Sequence, residues 1–196
     1  GFKAIIPSNT KVLDLKLENE ILTINFSKEL LNVNRDNEEK MLEAIIYSLT
    51  ELSEIKKICI LVEGEILSKL PNSNQKLPTY FDKNYGINKI YNLDSIKDTS
   101  KTTIYYLSKY NDYYYYVPVT KVSNENIEKA EIIIKELKST PIYHTNLISY
   151  LAASTNLSNY ELLENSISLS FDNYLIANIN DKEMLEEVKY SIALSM

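Results

Sequence analysis

Three glycines, five prolines, one cysteine, one histidine and one arginine in 196 residues exclude more than they permit. With so few glycines a phosphate-cradling loop has almost no residues to be built from. The scarcity of glycine and proline also argues against long flexible linkers. One cysteine, Cys59, allows no intramolecular disulfide, and with a single histidine it cannot supply the common zinc ligand sets. Cys59 sits inside the apolar run Ile58–Val62 and reads as a small buried residue. Arg35 stands alone, the net charge is −6, and lysines are interleaved with acids. No clustered basic face is visible, so nucleic acid and other large anionic partners are not expected. No apolar run reaches the roughly 18 residues of a membrane span, and no signal peptide opens the chain.

What the chain does have is a repeat. Met41–Leu49 returns as Met184–Ile192, and the segment from Leu17 through Leu22, Ile24 and Phe26 returns as Leu162 through Ile167, Leu169 and Phe171. The offset is about 145 residues at the strands and about 143 at the helix. A repeat of that length is a duplicated domain. Sixteen tyrosines fit a β-rich, half-buried architecture.

The alternation of Leu13, Leu15 and Leu17 predicts a half-buried strand over 11–17, and Leu22, Ile24 and Phe26 its hairpin partner. Asn19 can take the positive φ of the turn between them. Asp36 and Glu39 form a D-x-x-E start signal for a helix with the stripe Leu42, Ile45, Leu49 and Leu52. Residues 57–63 are apolar on both faces and predict a central strand, ended by Gly64. Residues 65–100 are irregular and read as loop plus inter-domain connection. Two strands follow at 102–107 and 113–119, joined by a polar turn over 108–112. Ser123 is a candidate cap for a helix with the stripe Ile127, Ala130, Ile134 and Leu137, and Pro141 marks its exit. The second hairpin is expected at 157–172 and the second long helix at 181–196.

Aligning the two copies gives a unit of two strands, a helix, a hairpin, a second helix and a final strand. The expected fold class is α+β: two tandem copies of a small domain, helices packed on one face of a mixed three- to four-stranded sheet. The expected domains are 1–85, lacking its opening strands and first helix; a linker at 86–100; and 101–196, lacking its final strand. The missing strand should leave an open apolar edge, most simply explained by truncation of a longer parent chain.

No catalytic set emerges. His144 has no cysteine near it in sequence and no clear acidic orienter. Glu38, Glu39, Asp181, Glu186 and Glu187 fall in first helical turns, where the macrodipole favours acids without any cleft. The run Tyr113, Tyr114, Tyr115 and Tyr116 is the candidate interface. In a strand its members alternate, one pair packing toward the helices and the other lying on the outer face of the sheet. Such a face can take sugars, bases or a protein, and a protein fits best, since only Lys109 and Lys121 frame the run.

Five ordered segments resemble the GerMN domain of the GerM family, found in tandem in sporulation and germination lipoproteins of endospore-forming bacteria. Tyr116-Val117-Pro118-Val119-Thr120-Lys121, after the aromatic strand end Ile104-Tyr105-Tyr106, resembles the family's V-P-V-T-R/K strand. Ile6-Pro7-Ser8-Asn9-Thr10-Lys11-Val12-Leu13 resembles its I-P-x-x-T-K-L-L entry to the hairpin. Leu22-Thr23-Ile24-Asn25-Phe26-Ser27 resembles its A-T-V-D-F-S strand, and Ala44–Glu51 its helix A-x-x-Y-T-L-T-E. Ile58–Gly64 resembles its final strand, V-x-I-L-V-D-G. The family's Asp-Gly hairpin turn is replaced by Asn19-Glu20 and by Glu164-Asn165, and the second entry, Leu151–Leu157, lacks its proline.

The resemblance implies a ring-building-motif-like fold and a non-enzymatic protein without cofactors. It implies a role in assembling the envelope channel between mother cell and forespore, and in later germination. The implied partners are sporulation channel proteins or further copies of the chain. The implied location is extracytoplasmic, membrane-anchored through an N-terminal lipid on a cysteine this chain does not contain. The competing reading is an extracytoplasmic cell-wall (peptidoglycan) binding module.

Overall fold

Strands β1 (Val12–Glu18) and β2 (Ile21–Phe26) pair antiparallel through a two-residue turn in which both Asn19 and Glu20 take positive φ, 48° and 62°. Asparagine tolerates that region because its short side chain can bond locally; glutamate does so at a cost. The computed structural model describes residues 4–95, 97–139, 146–163, 166–172 and 185–196. His144, Pro141, Asp181 and the turn Glu164-Asn165 lie outside them.

The chain divides into two units, Gly1–Asn88 and Lys89–Met196. The first carries a four-stranded mixed sheet in the order β1-β2-β3-β4, with β3 at Lys57–Val62 and β4 at Glu65–Ile66. Helix α1 (Glu38–Thr50) connects β2 to β3, which run parallel with Leu22 opposite Ile58 and Ile24 opposite Ile60. Strand β3 is central, as its double-sided apolar pattern predicts, and Cys59 is buried within it. Burial raises the Cys59 thiol above its ordinary value, which keeps it a thiol. Leu22, Ile24, Phe26, Met41, Leu42, Ile46, Ile58 and Ile60 form the core of this unit.

The second unit holds β5 (Ile90–Asn92), β6 (Ser100–Tyr110), β7 (Tyr113–Ser123) and β8 (Leu147–Ile148) in the order β5-β7-β6-β8. A separate hairpin pairs β9 (Leu157–Leu163) with β10 (Ser166–Phe171). Helix α2 (Lys129–Leu137) packs on β6 and β9, and α3 (Glu186–Ser195) on β6. Ile104, Tyr106, Val119, Ile133, Leu137, Val188 and Ile192 make its core. The fold is mixed α+β, and each unit follows the element order that the repeat predicts. Among the described residues no helix is long and apolar enough to cross a membrane.

Several expectations need correction. The helix does not start on an Asp36 cap: Asn37 precedes it without a side-chain cap bond, and the buried Glu38 reaches a distant loop instead. Leu52 lies past the end of α1 and is exposed. The turn between β6 and β7 is only Asn111-Asp112, with Asn111 at φ 54°, so both strands run longer than their apolar centres suggest. Ser123 ends β7 and Ile127 lies outside α2, which starts after Glu128. The expected linker 86–100 contributes β5, whose three residues pair in parallel with Lys121–Ser123 at the end of β7.

Strand β1 is the largest departure. Leu15 lies opposite Ile24 on the same face, yet Leu15 is 55% exposed and Ile24 only 4%. Helix α1 is centred on β3, two strands away in the sheet, and leaves β1 bare. Its counterpart in the second copy, β9, has α2 packed on it. The second copy shows the complementary gap. Ile167, Leu169 and Phe171 in β10 are partly exposed, while their counterparts Leu22, Ile24 and Phe26 are buried beside β3. Among the described residues β10 has β9 as its one strand partner.

Candidate interaction surface

The β6–β7 hairpin places the tyrosine run at its tip, where Tyr110 faces Tyr113, Lys109 faces Tyr114 and Leu107 faces Tyr116. Strand alternation puts Tyr114 and Tyr116 on one side and Tyr113 and Tyr115 on the other. The core is built lower in the hairpin, by Ile104, Tyr106, Leu107 and Val119. None of the four tyrosines of the run is buried; of the pair Tyr114 and Tyr116, Tyr116 is half-buried against α3 and Tyr114 is exposed. Tyr113 is 70% exposed.

Tyr114 meets Tyr150 edge-on, with ring centroids 6.3 Å apart and their hydroxyls hydrogen-bonded at 3.1 Å. Lys109 Nζ lies 5.7 Å from the centre of the Tyr114 ring. Tyr116 meets Tyr190 of α3 at 6.0 Å with the rings tilted by 53°. Partial burial, and then the charge of Glu187, raise the Tyr116 phenol above its ordinary value. The bond with Tyr114 raises Tyr150 first, with burial and Glu187 adding to it. The phenols therefore stay neutral and available as donors throughout the physiological range.

Tyr150 and Tyr190 escaped the sequence reading, because they join the run only through tertiary packing. The repeat held a signal for one of them: Tyr190 is the counterpart of Tyr47, a residue of α1 that is itself a ring contact.

Lys121 does not frame the tyrosines. Its side chain is 8% exposed and turns inward, hydrogen-bonding Glu125 and, at 2.6 Å, Glu136 Oε1. Lys135 donates to the other oxygen of Glu125 at 2.8 Å. Burial pulls the Lys121 ammonium down, but its two carboxylate partners outweigh burial and the net shift is upward. Hydrogen bonds from Lys121 and Lys135 hold Glu125 below the usual carboxylate range. This cluster ties the end of β7 to α2. Among the described residues no group of three or more His, Cys, Asp or Glu side chains could hold a metal ion.

Comparison with known proteins bears on the same architecture. The Germane domain model, described as sporulation and spore germination, matches residues 1–68. The whole chain aligns at 27% identity with the spore germination protein GerM of Bacillus subtilis, spanning 55% of that protein. The solved tandem GerMN domains of the sporulation protein GerM from the same organism superpose on all of this chain and 69% of theirs. That superposition has a TM-score of 0.90 at 27% identity. The chain is similar along its whole length to GerM and to its tandem GerMN domains. Both units, and not only the segment matched by the domain model, are covered by that superposition. The chain spans about half the length of the curated relative.

Proposed function

We propose that the chain is a non-enzymatic assembly module of the sporulation and germination apparatus. It would act outside the cytoplasm, in a membrane-anchored parent protein, and support assembly of the channel complex between mother cell and forespore. The similarity to GerM supplies the biological setting. The observation that carries the assembly role is the exposed tyrosine surface around the tip of the β6–β7 hairpin, where Tyr113 and Tyr114, with Tyr150 and Tyr190 packed nearby, are all solvent-accessible. Tyrosine has two side-chain torsions, a large apolar area and a polar tip, so ordering it at an interface costs little. The eleven-residue strands β6 and β7 hold that face in a fixed frame.

The test is a triple variant, Tyr113→Ser, Tyr114→Ser and Tyr190→Ser, in the full-length parent protein, scored by heat-resistant spores. All three side chains are exposed and contribute little to the core. The expected result is a drop of about tenfold or more in spore count at unchanged protein level, the effect of losing interface anchors of a few kcal/mol. A wild-type spore count would contradict the proposal. Retention of the purified chain on cell-wall sacculi, abolished by the same variant, would favour the peptidoglycan reading instead.

A further inference from the structure

The two copies differ in the surroundings of one tyrosine. In α1, Tyr47 is buried, and Lys83 Nζ lies over its ring at 5.3 Å while pairing with Glu51 at 2.7 Å. A cation is held between an aromatic face and a carboxylate within the first unit. The counterpart, Tyr190 in α3, is exposed, and among the described residues no cation is seen over its ring. Its ring touches Tyr116, its outer side is 55% exposed, and the half-buried Glu187 lies one helical turn before it. Lys189 is drawn away to Glu186 at 2.7 Å. The hairpin tip carries a related contact, Lys109 over the ring of Tyr114.

We propose that the face formed by Tyr114, Tyr116, Tyr190 and Glu187 docks a basic segment of a partner protein. An arginine or lysine of that segment would fill the place over Tyr190 that Lys83 fills over Tyr47. This deepens the assembly reading and rests on it. Charge decides the kind of partner. The chain carries a net −6 with a single arginine, so a second copy would bring acid against acid, and a heterologous basic partner fits better. Arginine is favoured over lysine because its planar, weakly hydrated guanidinium stacks on an aromatic face while bonding a carboxylate.

The probe is a peptide, acetyl-Leu-Arg-Leu-Arg-Leu-Arg-amide, against the same peptide with citrulline at every arginine. Citrulline keeps the shape and removes the charge. The expected result is backbone amide shift changes centred on Tyr114, Tyr116 and Tyr190. The citrulline peptide should bind about fivefold or more weakly, the worth of one exposed cation–π contact. Glu187→Gln and Tyr190→Leu should each weaken arginine-peptide binding about threefold or more, with affinity falling as salt rises. Equal binding of the two peptides, or shifts centred elsewhere, would overturn the proposal. So would occupation of the same tyrosines by a soluble muropeptide when the arginine peptide leaves them unmoved. Failure here with a sporulation defect in the triple tyrosine variant would leave the assembly role standing and remove only the basic partner. Specific arginine-peptide binding with normal sporulation would do the reverse.

Discussion

Lys121→Met lowers the melting temperature of the second unit by about 10 °C or more, the larger of the two stability effects expected. The buried ammonium is the hub of a partly buried cluster, bonded to Glu125 and Glu136, with the exposed Lys135 paired to Glu125. Methionine fills much of the same volume, so packing is largely kept. What is lost is compensation: Glu136 keeps its charge beside the end of β7 with no described cation bonded to it, and Glu125 retains only Lys135. Breaking a buried pair from one side costs about 3 kcal/mol, and a unit of this size shifts by several degrees per kcal/mol. Adding Glu136→Leu to Lys121→Met should return part of the loss, since an apolar replacement of both partners removes the stranded charge. Thermal unfolding followed by circular dichroism measures both. The pH dependence carries opposite signs on its two sides. The lowered Glu125 value contributes stability that is complete above the ordinary carboxylate range and is lost as pH falls through the folded value. The raised Lys121 value contributes stability that is complete below the ordinary lysine range and is lost as pH rises through the folded value.

Glu38→Ala is the second. Glu38 is 2% exposed and accepts hydrogen bonds from the Asn72 amide at 2.8 Å, the Asn72 side chain at 3.1 Å and the Ser73 amide at 3.0 Å. It fastens the loop after β4 to the start of α1. Alanine removes a charged acceptor and leaves backbone donors without it, a cost of about 2–3 kcal/mol. Burial raises the Glu38 carboxyl, but the bonds from Ser73 and Asn72 outweigh it and the net value is lowered. Its contribution is therefore present above the ordinary carboxylate range and is lost as pH falls through the folded value. Urea unfolding of the first unit at pH 7 and at stepped acid pH should show a loss at neutral pH that shrinks toward acid. A variant as stable as the wild type at pH 7 would remove Glu38 from this role.

Residues whose surroundings are local were legible in the sequence. The double-sided apolar run of β3, the alternation of β2 and the turn at Asn19 each depend on neighbours a few positions away, and each was readable. The repeat added the element order of both units. What stayed hidden depends on groups far along the chain. Glu38 looks like an ordinary first-turn acid, and its partners are 34 and 35 residues later. Lys121 looks like a surface lysine framing the tyrosines, and Glu136 turns it inward from α2. The leucines of β1 alternate as a core strand should, but alternation cannot say whether a helix lies over them. The tyrosine run was visible as composition. Its extension through Tyr150 and Tyr190 needed the packing of a loop and a helix against the hairpin.

The central claim is that the second unit meets a partner protein through its tyrosine face. The most direct measurement places a photo-crosslinking amino acid at Tyr113 of the full-length parent protein, with a matched control at exposed Leu52 of the first unit. Illumination during sporulation should give a discrete crosslinked species from position 113 and none from position 52. Mass spectrometry of that species should place the attachment beside arginine or lysine in a sporulation envelope protein. Equal, diffuse labelling from both positions, or attachment to glycan alone, would contradict the account.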